Sequence, residues 1–222
     1  MRYDPSMGGR GVSETVEELH SKHSRRANLA FWLKSRALIA RRLARSAIGG
    51  ELIHQYTKLS AIPADALPLA VDEHGLYAKS TPAERELELG KIQNLRMAAV
   101  AIDGIVLAPG ELFSFWLAVS RPNRRNGYVI GRELRGGCMI PSIGGGICQL
   151  TNALSRVADA AGMEIVERHS HTVHPPGFFI DDATDATVFW NYVDFRFRPR
   201  VRVRIGARLT QTSLIVRLDA LP

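Results

Sequence analysis

Apolar residues repeat along this chain with two different periods, and the change from one to the other outlines its architecture. Ile147, Leu150, Leu154, Val157 and Ala161 recur at helical spacing until Gly162 stops the run, which predicts a helix directly behind three glycines. Ile92, Leu95, Ala99 and Ile102 predict a second helix, opened by a Thr81-Pro82-Ala83-Glu84 capping box and closed at Gly104. A third helix is basic: Leu29, Leu33, Ala40, Leu43 and Ala47 trace one stripe, while Lys34, Arg41 and Arg45 trace another. Beyond residue 162 the period falls to two. Residues 163–173 read as a strand with His169 and His171 on one face, and residues 186–198 as a second strand. In residues 194–205, Phe195, Phe197, Val201, Val203 and Ile205 alternate with Arg196, Arg198, Arg200, Arg202 and Arg204, and Pro199 divides the run. Residues 105–107 and 112–115 predict short strands around Pro109-Gly110.

These elements predict an α+β fold in which the helix behind the glycines packs on a mainly antiparallel sheet, with extra helices on the N-terminal side. The order of helix then strands is papain-like by analogy. Three regions are expected: residues 1–50, a polar tail plus the basic amphipathic helix; residues 51–80, a linker marked by Pro63, Pro68 and Gly75; and residues 81–222, the main domain.

Composition narrows the class. The chain has 222 residues, 45% of them hydrophobic, enough for a sizeable core. Its two cysteines make no disulfide framework and suit a reducing compartment. The first twenty residues lack the unbroken apolar stretch of a signal peptide or a transmembrane helix, so the expected location is cytoplasmic or peripheral to the inner face of a membrane. A net charge of +7 favours acidic partners, an anionic membrane surface or a wall polymer among them. Nucleic acid is disfavoured, because the aromatic residues of this run fall on the apolar face and none is interleaved on the basic face as a stacking platform would be. The oligomeric state is not readable.

Candidate chemistry centres on Gly144-Gly145-Gly146-Ile147-Cys148-Gln149. Consecutive glycines forfeit backbone entropy, which implies unusual dihedrals or a surface that a substrate approaches closely. Cys148 then falls where a helix begins. Unpartnered N–H groups and the positive end of the macrodipole favour an anion there, whether a thiolate or a developing oxyanion. A phosphate loop is set aside, since no Gly-Lys-Ser/Thr ending follows. Downstream, His169 and His171 offer an imidazole base and Asp185 an orienting carboxylate. Nucleophile, base and orienter in that order is the pattern of many thiol acyl-transfer enzymes. Asp194 is a second candidate orienter. A His-x-His pair also suits zinc, so His169, His171 and His174, with Cys148 or Asp185, form an alternative ligand set.

Gly-Gly-Gly-Ile-Cys-Gln-Leu, Glu-Arg-His-Ser-His, Asp-Ala-Thr-Val and Asp-Phe-Arg-Phe, preceded by Pro109-Gly110-Glu111-Leu112-Phe113-Ser114-Phe115 and Gly127-Tyr128, resemble the VanW family over roughly residues 86–199. That resemblance implies a cysteine nucleophile at Cys148, the histidine pair at His169 and His171, and the acidic position at Asp185. It further implies L,D-transpeptidase-like or amide-hydrolase chemistry on a peptidoglycan-type peptide or its precursor, in a bacterial cell-wall and antibiotic-resistance setting. Gly144, Gly145, Gly146 and Gln149 are expected to form the loop that holds the oxyanion and substrate. No cofactor is implied. The alternative is a non-enzymatic accessory module that binds an anionic membrane or wall polymer through its basic surfaces.

Overall fold

The computed structural model describes residues 25–48, 55–77, 84–135, 138–171 and 183–222. Helix α1 (Arg25–Ile48) is followed by β1 (Thr57–Lys58), β2 (Leu67–Gly75), α2 (Arg85–Ile102), β3 (Ile105–Leu107), β4 (Phe113–Ser114) and the one-turn α3 (Phe115–Ala118). A hairpin of β5 (Ile130–Arg135) and β6 (Cys138–Ile143) leads into α4 (Cys148–Ala160). The chain ends with β7 (Glu164–Glu167), β8 (Arg196–Arg198), β9 (Val203–Leu209) and β10 (Ser213–Ala220).

Period-two burial along β10 shows how the main sheet is built: Leu214, Val216 and Leu218 are buried on one face, opposite Leu209, Ala207 and Ile205 of β9. Five antiparallel strands pair in the order β1-β3-β9-β10-β2. Helix α4 packs on β2 and β10, and α2 packs on β9 and meets α4. Leu95, Ala98 and Ile102 of α2 and Leu150, Ala153 and Leu154 of α4 are fully buried in the same apolar cluster as the strand residues. Arg156 of α4 fixes the helix to the sheet through two hydrogen bonds to Asp72 of β2, at 2.8 and 2.9 Å. A second sheet, β4-β8-β7, is sealed by Phe113 and Phe197, whose rings lie 4.9 Å apart. The fold is thus α+β, a mixture of helices and antiparallel sheet.

Several sequence expectations need correction. Residues 51–80 are not simply a linker: β1 and β2 lie within them as the two outer strands of the main sheet. Pro68 is compatible with β2 because an outer strand leaves one row of backbone groups outside the ladder. The strand expected at residues 163–173 ends at Glu167, so His169 and His171 follow a strand rather than share its face. The strand expected at 186–198 is real only at Arg196–Arg198; upstream, Phe189 and Val193 pair across a turn, and the Asp194 carboxylate accepts from the backbone N–H groups of Trp116 and Phe195. Nor do the arginines form a continuous exposed row. Arg196 is buried against Asp194, and Arg204 is buried with its Nε on the Leu59 carbonyl, while Arg200 and Arg202 are exposed. Burial does not follow the alternation: Val201, expected on the apolar face, is exposed, while Phe195-Arg196-Phe197 and Val203-Arg204-Ile205 are buried throughout.

Candidate active site

The glycine turn is shaped by what lies against it. β6 runs directly into Gly144, which has φ +81°, and Gly146 has φ +98°. A Cβ on Gly146 would stand 2.1 Å from Cγ of Lys91, and one on Gly145 would stand 2.5 Å from the Gly131 carbonyl. Neither position has room for a side chain. From α2, Asn94 Nδ2 donates to the Gly145 and Val129 carbonyls at 2.9 and 3.0 Å, and its Oδ1 accepts from the Val129 N–H. Lys91 stretches beneath the turn and donates to the Leu76 carbonyl. Burial, with Arg132 nearby, pulls its ammonium from 10.5 to about 8, against the opposing charge of Glu88.

Cys148 is the first residue of α4 and is half-buried. Its sulfur lies 3.6 Å from Thr187 Oγ1 and 3.9 Å from the Val188 carbonyl. His171 Nδ1 lies 2.9 Å from Asp185 Oδ1, and the His171 backbone N–H donates to Asp185 Oδ2 at 2.6 Å. The Asp185 carboxylate has no exposed surface. Burial alone would lower the His171 pKa, but hydrogen bonds to Asp185 and Cys148, together with their negative charge, reverse this and raise it from 6.5 to about 10. Cys148, His171 and Asp185 are therefore brought together, with His171 between the other two.

The remaining candidates lie elsewhere. His169 is half-exposed, with Nε2 3.3 Å from Glu167 Oε1; its contribution near the sulfur is its backbone carbonyl, which accepts from the Thr187 N–H at 2.7 Å. Among the described residues the Asp194 carboxylate meets no histidine: it accepts from Ser114 Oγ at 2.6 Å, Arg196 Nε at 3.0 Å and Arg42 at 3.2 Å. The Gln149 side-chain amide turns to the Gly75 carbonyl at 2.9 Å, and its backbone N–H is bonded to Gly146 O. The backbone N–H of Gln149 and one of the two N–H donors of its side-chain amide are thus engaged by these carbonyls. His174 lies outside the described residues, and among those described no three His, Cys, Asp or Glu side chains gather into a metal-sized group.

Sequence reasoning missed Thr187, Thr151 and Asn152. Asn152 Oδ1 accepts from the Ala186 N–H at 2.7 Å, and Thr151 Oγ1 donates to the Ala186 carbonyl. Both pin the segment that carries Asp185 and Thr187 to α4. A signal was present, since Cys148, Thr151, Asn152 and Ser155 follow one another at helical spacing. They form a polar stripe on a helix otherwise read only for its apolar one.

The site's residues also fall within the region where this chain is similar to known proteins. A family model described as VanW like protein matches residues 90–218, more than half of the chain. The chain is 37% identical over 127 residues to the uncharacterized protein YoaR of Bacillus subtilis (strain 168), a match that covers 56% of this chain and 41% of that one. It is 30% identical over 126 residues to the vancomycin B-type resistance protein VanW of Enterococcus faecalis (strain ATCC 700802 / V583), covering 55% of this chain and 46% of the relative. These matches thus span less than half the length of either relative, and no solved structure matches. The papain-like order accordingly rests on analogy alone. With the glycine turn, Cys148, His171 and Asp185 all inside the matched region, the chain belongs to the VanW family.

Proposed function

We propose that this protein carries out thiol-dependent acyl transfer on a peptidoglycan-type peptide stem or its precursor. The reading is carried by one observation: His171 is hydrogen-bonded to buried Asp185 through Nδ1 and neighbours Cys148 at the head of α4. An imidazole held protonated beside a sulfur at a helix N-terminus favours a thiolate–imidazolium pair. The Cys148 sulfur attacks the substrate carbonyl carbon and forms a C–S bond. The oxyanion is met by the Cys148 N–H, a first-turn donor without an intrahelical acceptor. As the tetrahedral intermediate collapses, the carbonyl carbon–nitrogen bond breaks and the leaving amine takes a proton from His171. An incoming amine or water then attacks the thioester, gives its proton to His171 and releases Cys148. Amine acceptance is transpeptidation, and water acceptance is hydrolysis. The substrate class is supported by family membership and by the resistance function in the name of the Enterococcus relative.

The test is a mass-spectrometric assay of the protein with tetrapeptide stems in the presence and absence of an amine acceptor. A covalent adduct on Cys148, with cross-linked or trimmed product, is expected. If the native protein forms no adduct and Cys148 resists electrophiles at neutral pH, the proposal fails.

A further inference from the structure

We infer that the outward face of α1 is a docking surface for an anionic lipid bilayer. The inference is independent of the acyl-transfer reading, because it rests on which side of α1 the domain occupies. Ser35, Leu38, Ile39 and Arg42 share the inward side and are buried or half-buried. Ser35 Oγ lies 3.3 Å from the Tyr192 hydroxyl, and Arg42 makes two 2.9 Å hydrogen bonds to Glu167 and a third to Asp194. A helix docked in this way should present a polar outer surface. Instead Trp32, Leu33, Leu43 and Ile48 are 52%, 55%, 42% and 89% exposed, and Ala37, Ala40, Ala44 and Ala47 fill the positions between them.

The charges around this apolar surface select the occupant. Lys34, Arg41 and Arg45 lie exposed along one border, Arg36 lies over the Trp32 ring at 5.2 Å, and α1 contains no acidic residue. Apolar and aromatic side chains bordered only by cations suit a headgroup boundary, where the hydrocarbon enters and long basic side chains reach back to phosphate. A second copy of α1 on the same face would bring two basic rows together. No described helix is long and apolar enough to cross a membrane, so α1 would lie in the interface plane. Its anchors, Glu167 and Tyr192, belong to the segments on either side of His171 and Thr187. A bilayer bound to α1 would therefore hold the site close to the membrane.

Co-sedimentation of the full chain with phosphatidylcholine–phosphatidylglycerol vesicles, against pure phosphatidylcholine vesicles, tests this. Binding is expected only to the anionic vesicles, weakening as salt rises. K34Q/R41Q/R45Q should weaken it by roughly a hundredfold, and W32A/L33A/L43A should abolish it, with both variants melting as the native protein does. C148S should bind unchanged, which separates this surface from the proposed chemistry. The inference is overturned if the full chain ignores anionic vesicles at low salt, binds both vesicle types equally, or binds undiminished in both triple variants. It is equally overturned if the chain forms a dimer that W32A/L33A/L43A dissolves.

Discussion

At the scale of single residues, the arrangement separates two histidines that spacing could not. His171 has its ring on Asp185 and its other neighbour in Cys148, whereas the His169 ring faces Glu167 and solvent. His171→Ala is therefore expected to slow iodoacetamide labelling of Cys148 on the order of 100-fold, and His169→Ala to leave it near the native rate. Labelling followed by peptide mass spectrometry measures both, and equal effects would count against the assignment. The pH dependence follows from the direction of the His171 shift. Its folded pKa of about 10 exceeds the ordinary 6.5, so its stabilising contribution is fully present below 6.5 and is lost as pH rises through about 10. Native protein should lose thermal stability across that window, and His171→Gln should flatten the loss. Melting curves at intervals between those values check the sign. The two candidate roles were legible as a pair because His-x-His sits at fixed spacing. The choice between them was not, since it depends on where the backbone turns after Glu167.

At the scale of elements, the glycine turn and α4 act as one unit. Gly146→Ala would place a methyl in the stem of Lys91 at a φ of +98°, so a loss of about 1–3 kcal/mol is expected in denaturant unfolding. Asn152→Ala should cost about as much, because the buried Ala186 N–H loses its acceptor, about 1–3 kcal/mol for such a group. It should also slow Cys148 labelling by loosening the Asp185–Thr187 segment. A variant that is destabilised yet labels at the native rate would show that Asn152 serves the fold alone. The α4 register was readable from its apolar stripe, since burial of Leu150, Leu154 and Val157 follows directly from a period of 3.6. The strand at 186–198 was misread for a related reason. Alternating apolar residues satisfy a period of two, but the Phe189–Val193 turn and the Asp194 carboxylate capture the backbone groups a ladder would have used.

At the scale of the whole molecule, α1 is tied to the domain by charge. Arg42 reaches Glu167 and Asp194, the latter 2% exposed, so Arg42→Ala should destabilise the protein by about 1.5–3 kcal/mol, the range for hydrogen bonds to charged groups, and expose α1 to proteolysis. Limited proteolysis with thermal melts reads both effects; an unchanged cleavage pattern would mean that the helix is held by its other contacts. The amino-acid sequence by itself determined the local features: an α4 helix behind three glycines, a cysteine at its head, two helices before it, and strands on both sides of Pro199. Each follows from short-range periodicity or backbone geometry, which neighbouring residues carry on their own. Tertiary structure alone decided that β2 completes the main sheet, that Arg196 and Arg204 are buried while Arg200 and Arg202 are not, and that His171 rather than His169 meets Cys148. Those outcomes depend on which distant segment reaches a given face first, and hydrogen-bond partners supplied from far along the chain leave no period in the residues they satisfy.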